Sequence, residues 1–535
     1  MHTYPRWLPR STLPFVPLPD SAYSSSHDEP TPESATPENG APDEGAAAAD
    51  HGINDPVADE SVADGPVADG LVSGEPVPET PSGGDTTWGR FRAEIPPTLR
   101  LAGPVVAAQL GQMSMGFIDT VMVGRLGKEA LAGVALGNTL FFFLLILCTG
   151  MVQAVSPMVS QAVGAGKPDT IERSTRQGLW LGVLLSLPVL ILLWNIEPIL
   201  HLLGQSEVAV DGASSYIRAI MWAFLPACWF TALRSFVEGL ARPLPVTLIT
   251  ISGALLNAGA NYILMFGAGP IPALGLVGTG LASTIVFWTM FGLLSVLVVT
   301  RKPFREYTVF GNVRTPDFET LRELFDIGWP MGISRGIEAG LFMITALMVG
   351  SIGATSLAAH QVAIQCAAFM FMVPMGVGIA GQVRVGHAAG RGDRAGTRRA
   401  GYASISIATA FMTLSMFVFL LVPEWIVSLY LDTAKPDNEA VVALAVQLIG
   451  VAAIFQVVDG LQIAAAEALR GLKDTRGPMV IGFFSYWGIG LSLGYLFGIH
   501  LGYGAPGLWW GLVAGLAAAS VWLTFRFHRQ TATAP

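Results

Sequence analysis

Twelve apolar runs, each about 20 residues long, fill the chain between residues 98 and 525 and leave few folds open. Their approximate limits are 98–123, 131–157, 173–195, 210–232, 244–266 and 274–299, then 323–348, 355–381, 400–422, 440–466, 477–497 and 504–525. A helix of that length crosses ~30 Å of hydrocarbon. A barrel strand needs only about 10 alternating residues, so the runs are expected as transmembrane helices. Composition agrees, with 13% charged residues against roughly 25% in soluble domains. An ordinary soluble enzyme is disfavoured on that contrast.

The formal net charge of −9 hides a split. Residues 1–87 hold sixteen Asp/Glu, two arginines and fourteen prolines, with the near-repeat DPVADESVADGPVADG. Such a segment cannot bury enough apolar surface to offset the entropy of ordering. Residues 1–88 are therefore expected to be a disordered acidic tail. Its opening has no uninterrupted apolar core of signal-peptide length. The rest of the chain carries 23 acids and 28 Lys/Arg.

The connections between runs sort by charge. Alternate loops hold Lys167, Arg173 and Arg176; Arg234 and Arg242; Arg301, Lys302, Arg305, Arg314 and Arg322; Arg384, Arg391, Arg394, Arg398 and Arg399; and Arg470, Lys473 and Arg476. With Arg526 and Arg529 this set has 20 basic residues, against Arg125, Lys128 and Lys435 in the other. The positive-inside rule places the first set, and both termini, in the cytoplasm.

The sequence also repeats. At an offset of 226, Pro104 falls on Pro330, Met122-Val123-Gly124 on Met348-Val349-Gly350, Gly150 on Gly376, Gly164 on Gly390 and Gly166 on Gly392. Later the offset is 232, where Gly239-Leu240 falls on Gly471-Leu472 and Gly275-Leu276 on Gly507-Leu508. Each half has six spans, so both start on the same side as parallel repeats. That is an alternating-access architecture with the substrate between the halves. The expected organisation is a first lobe at 89–300, a cytoplasmic linker at 301–322, a second lobe at 323–527 and a short tail at 528–535. Pro104 and Pro330 remove the same backbone hydrogen bond in each half and are candidate hinges.

Ionisable groups inside spans are costly and therefore candidates for function. Asp119, Glu338 and Asp459 lie well inside spans, and each breaks the repeat: their counterparts are Thr345, Gln112 and Ala227. Asn257 and Asn261 are spaced i,i+4 and share one helix face. Their amide oxygens with a carboxylate suit a small hard cation or a relayed proton; interhelical hydrogen bonding is the alternative. Glu338 has Arg335 one turn away, so it is either half of a structural ion pair or a titrating acid. Asp459 is flanked by Gln456 and Gln462, a polar stripe suited to lining water. Glu238, Glu467 and Asp326 lie near cytoplasmic ends and are expected to reach water.

No GxxxxGK[ST] phosphate loop is present, so ATP is not the expected energy source. His360 and His387 have no partner at metal-ligand spacing. Cys148, Cys228 and Cys366 sit in apolar runs and are expected as small core residues.

Several segments together resemble the bacterial NorM-like branch of the multidrug and toxic compound extrusion (MATE) family. They are GQMSMGFIDTVMVGRLG, GALLNAGANYILMFG, GWPMGISRGIEAGLFMITALMVG, SLAAHQVA and IFQVVDGLQIAAAEALRGLKDT. The resemblance covers residues 95–525 and implies an all-α protein of twelve transmembrane helices in two six-helix lobes. It implies a secondary antiporter, with no enzymatic activity, that exports cationic amphipathic compounds in exchange for Na⁺ or H⁺. The implied coupling residues are Asp119, Asn257 and Asn261 (holding the metal if Na⁺ is used), with Glu338 and Asp459 in the second lobe. An aromatic hydroxyl often precedes the last acid by one turn, and here that position is Phe455. Gln112, Arg335, Gln365, Gln456, Met343 and Met370 are candidates for the substrate path. Met343, Met348, Met370, Met372 and Met375 could form adaptable walls or simply face lipid and packing. The expected partners are small cationic substrates, a monovalent cation and the lipid bilayer, with no nucleic acid and no cofactor. A monomer in the cell (inner) membrane is expected. A flippase for lipid-linked precursors is the alternative, although only Arg335 supplies positive charge deep in the spans.

Overall fold

The computed structural model describes residues 87–532, except 126–127, 203, 205, 312–314 and 434. The expected acidic tail, but for Thr87 and Trp88, lies outside the described residues. Among them are twelve helices long and apolar enough to cross a membrane. They are α1 (Trp88–Gly124), α2 (Val134–Gly164), α3 (Pro168–Trp194), α4 (Glu207–Gly239), α5 (Leu244–Phe266) and α6 (Gly275–Thr300). The second half holds α7 (Phe318–Ile352), α8 (Ala354–Gly390), α9 (Arg394–Leu421), α10 (Pro436–Gly471), α11 (Arg476–His500) and α12 (Gly504–Ala532). The protein is thus a multi-pass, all-helical membrane protein.

Several helices outrun the apolar segments that mark them. α1 begins about ten residues early and α8 runs on to Gly390. One ion pair joins the two extensions. Glu94 of α1 is 5% exposed and receives the Arg384 guanidinium of α8.

The repeat reappears as backbone geometry. α2 and α8 both end in a glycine with positive φ, Gly166 at 65° and Gly392 at 74°. Lys167 N–H bonds the Ala162 carbonyl and Gly166 N–H that of Val163; Asp393 and Gly392 bond Ala388 and Ala389 in the same way. This is the Schellman ending that satisfies carbonyls left over in a last turn. α4 and α10 end alike, with Ala241 at φ 58° and Lys473 at φ 61°.

Each lobe has its own apolar core, and each core captures the start of the other lobe's first helix. Leu101 and Ala102 of α1 pack into the second-lobe core; Leu324, Ile327 and Met331 of α7 pack into the first-lobe core. Leu101 and Ile327 are equivalents at the 226-residue offset. Between the lobes, the repeated glycines Gly150 and Gly376 are sites of close approach. A Cβ on Gly150 would lie 2.9 Å from the Cα of Gly332, and one on Gly376 would lie 2.9 Å from the backbone nitrogen of Val106. Small residues are what let helix backbones come this close. Two of the glycine matches visible in the sequence, Gly150/Gly376 and Gly164/Gly390, thus mark the contact between the lobes.

Cys148, Cys228 and Cys366 are buried and free. His360 is buried and accepts a hydrogen bond at Nδ1 from Trp509 Nε1 at 3.1 Å, a packing role.

Candidate functional site

Two polar clusters sit inside the spans, one per lobe. In the first lobe the helical period puts Asn257 and Asn261 of α5 on the face toward α1. Asn261 Nδ2 donates to Asp119 Oδ1 at 2.5 Å. The side chains of Asn257 and of Ser283 on α6 also reach this carboxylate. Asn257 and Asn261 are 2% and 0% exposed, and the Oδ1 atoms of both have no hydrogen-bond partner. Thr279 Oγ1, one turn before Ser283, is buried and unpartnered as well. A buried oxygen without a donor normally costs free energy. Here the two amides that carry such oxygens adjoin one carboxylate, and no lysine or arginine is paired with it among the described residues. The donor set fits a hard cation or a proton. The sequence singled out Asp119, Asn257 and Asn261, and the fold brings all three together. Ser283 was missed, since a hydroxyl in an apolar run carries no charge signal.

The second-lobe cluster is built differently. Arg335 Nη2 bonds Glu467 Oε1 at 2.8 Å, and Arg470 Nη1 bonds the same oxygen at 2.5 Å. Arg335 Nη1 lies 3.7 Å from Glu338 Oε2. Two arginines and two glutamates thus form a charge-balanced group in which Glu338 holds the weaker share of Arg335. This corrects the expectation for Glu467: its side chain is only 3% exposed, because the end of α10 is covered by other helices. Glu238 is corrected likewise. It is 5% exposed and pairs with Arg234 Nε at 2.7 Å. Asp326 is exposed, as expected.

Asp459 differs from the other second-lobe acids. It is 4% exposed, has no ion pair among the described residues, and its Oδ1 lacks a hydrogen-bond partner. Beside it on α10, Gln456 Oε1 accepts from Ser415 at 2.6 Å, while Gln456 Nε2 and Gln462 Oε1 are unpartnered. Gln462 Nε2 donates to the hydroxyl of Tyr486 on α11. Phe455 packs edge-to-face in an aromatic cluster, with ring centroids 6.2 Å from Phe342 and 5.6 Å from Trp509. The buried phenol of this cluster is that of Tyr486, held by Gln462. It sits in a wide π-helical stretch, Phe484–Leu491, a distortion common at functional sites.

The remaining candidates are scattered. Gln112 accepts from Arg234 Nη1 at 3.2 Å. Gln365 and Met343 are exposed, and Met370 packs on the second-lobe core. Gln109 Nε2 donates to Met375 Sδ at 3.1 Å, linking the lobes. Thr247 Oγ1 donates to the Pro104 carbonyl at 2.6 Å, and Pro330 is buried.

Comparison with known proteins identifies relatives along most of the chain. The MatE family model matches residues 104–263 and 330–496, so its two matches begin 226 residues apart. A probable multidrug resistance protein NorM of Mesorhizobium japonicum is 41% identical over 447 residues, covering 83% of this chain and 96% of that protein. A multidrug resistance protein NorM of Burkholderia vietnamiensis is 40% identical over 437 residues, covering 82% and 94%. Among solved structures, a MATE in complex with MaL6 superposes with a TM-score of 0.76 at 18% identity, covering 82% of this chain and 96% of that one. The eukaryotic MATE transporter AtDTX14 gives 0.72 at 20% identity, covering 83% and 98%. With both halves matched in register by one family model, the chain belongs to the MatE family.

Proposed function

We propose that the protein is a multidrug efflux transporter, a secondary antiporter that expels cationic amphipathic compounds from the cytoplasm as Na⁺ or H⁺ enters. The observation that carries this reading is the first-lobe cage, in which Asp119 receives Asn261 at 2.5 Å among buried amide oxygens that lack donors. The coupling cation is cargo of the cycle, held by Asp119, Asn257 and Asn261 with Ser283 beside them. Glu338 and Asp459 form the second acidic group. The arginine-rich loops lie in the cytoplasm, and the membrane is the cell inner membrane.

α1 connects ion binding to movement. Its outer part carries Asp119, and its early turns, at Leu101 and Ala102, are embedded in the opposite lobe's core. Pro104 lies between the two as a hinge, with Pro330 as its counterpart in α7. Charge neutralisation at Asp119 alters how α1 sits in its own lobe, and the buried early turns carry that change to the other lobe. A ligand moves such an equilibrium only through unequal affinity for the two states. The substrate path runs between lobes 89–300 and 323–527, joined by the linker 301–322. Gln112, Gln365, Gln456, Met343, Met370 and Arg335 are its candidate contacts. A pyrophosphate-binding flippase would need unpaired positive charge deep in the spans, whereas Arg335 and Arg234 are each paired with carboxylates.

Purified protein in liposomes, loaded with a fluorescent organic cation, tests the proposal. An inwardly directed Na⁺ or H⁺ gradient should drive efflux, and the effective gradient names the coupling ion. Efflux indifferent to both gradients would refute antiport.

A further inference from the structure

Among the helices that end at the face carrying the arginine-rich loops are α2, α4, α8 and α10. At that face the lobes are joined by two hydrogen bonds that the repeat maps onto each other. Gln161 Nε2 of α2 donates to the Gly471 carbonyl of α10 at 2.8 Å. His387 Nε2 of α8 lies 2.8 Å from the Gly239 carbonyl of α4. A carbonyl can only accept, so Nε2 carries the hydrogen. Gln161 and His387 are equivalents at offset 226, and Gly239 and Gly471 are equivalents at offset 232. Each bond runs from one lobe to the other.

The surrounding backbone repeats the same arrangement. A Cβ on Gly164 would collide with the His387 carbonyl, and one on Gly390 with the Gln161 carbonyl. Ser160 faces Gly386, its own counterpart, so the pseudo-two-fold axis passes between them. The two acceptors are last-turn carbonyls, which have no partner within their own helices. Water can replace the latch as their donor when the lobes part. The bonds therefore favour closure without locking it, as a gate that opens in every cycle requires.

We propose that Gln161 and His387 are paired latches, positioning residues that hold this face shut between the lobes. The proposal rests on the alternating-access reading, but not on which side of the membrane the face occupies. The chemistry of the pair also explains why the sequence concealed it. One donor is an amide and the other an imidazole, so the match shows no identity. Only the donor function is conserved between the halves.

Spin labels at Asp169→Cys and Ala395→Cys, equivalent exposed positions on the two lobes, report the separation of this face by pulsed electron resonance in lipid nanodiscs. Gln161→Ala and His387→Ala should each raise the open-to-shut ratio about three- to tenfold, the usual weight of one hydrogen bond. The double variant should raise it further. His387→Gln, which restores an amide donor as at 161, should return the distribution toward the parent's. Gln161→Glu keeps the side chain's shape but puts a charged acceptor where the donor was, and should open the face at least as far as Gln161→Ala. It serves as the second variant where the double variant does not fold. Parent-like distances in Gln161→Glu and His387→Ala would overturn the latch. A parent whose distances never respond to Na⁺, H⁺ or substrate, while the latch variants still open, would count against transport by alternating access and leave the latch standing.

Discussion

The two lobes share a backbone plan but not a polar chemistry. In the first, one carboxylate sits among two amides and a hydroxyl, with no basic residue paired to it among the described residues. In the second, Glu338 shares Arg335 with Glu467, Arg470 completes the group, and Asp459 stands apart with a bare oxygen. Meanwhile the contact between the lobes is nearly symmetric, from the Gly150 and Gly376 approaches to the two hydrogen bonds at Gln161 and His387. Symmetry is kept where the lobes meet, and abandoned at the buried charges. A duplicated scaffold thus carries one carboxylate without a basic partner among the described residues and another group whose acids are largely balanced internally.

The sharpest way to break this comparison is to neutralise one acid in each lobe. Asp119→Asn is expected to abolish resistance and efflux of an organic dye in cells, down to the level of cells without the transporter. Asp459→Asn should leave reduced but measurable efflux. Equal losses would mean that the lobes do not differ in role.

Stability should show the opposite order. Glu467→Gln weakens the acceptor of two buried guanidiniums and should cost about 3–5 kcal/mol, the usual penalty for breaking a buried ion pair. Asp459→Asn removes a buried carboxylate that has no basic partner and should leave the unfolding temperature unchanged or raise it. Thermal unfolding in detergent checks both. Tyr486→Phe should cost about 1–3 kcal/mol by stranding the Gln462 amide, and should weaken efflux without abolishing it.

The smallest expected effect lies outside the spans. Asp317 caps α7, accepting from Glu319 N–H at 3.1 Å and Thr320 N–H at 3.3 Å. The Thr320 hydroxyl, with those backbone donors, holds its carboxyl below the usual range. The cap therefore contributes at neutral pH, and its contribution is lost as pH falls through that lowered value. Asp317→Ala should cost about 1 kcal/mol at pH 7, and less in acid, by thermal unfolding across pH.

Much of this was legible in the sequence because the bilayer dictates helix length and the repeat preserves glycines. Asp119, Asn257 and Asn261 stood out because polar residues are rare in apolar runs, and helical spacing aligned the two amides. The partners of each charge were not legible. Arg335 and Glu467 lie 132 residues apart, and nearness in sequence favoured Glu338 instead. Glu467 was expected to reach water from its place near a helix end, but neighbouring helices cover that end. Tyr486 gave no signal, since its approach to Gln462 depends on packing between α10 and α11.

The central claim is that the Asp119 cage couples cation entry to substrate exit. Efflux from proteoliposomes, with Asp119→Asn beside the parent, tests it most directly. Gradient-driven efflux under imposed Na⁺ or H⁺ gradients and gradient-free exchange of substrate across the membrane are read on the same preparation. The account predicts that the variant loses the response to the gradient while still exchanging substrate. Gradient-driven efflux at the parent's rate would contradict it and move the coupling role to Glu338 and Asp459.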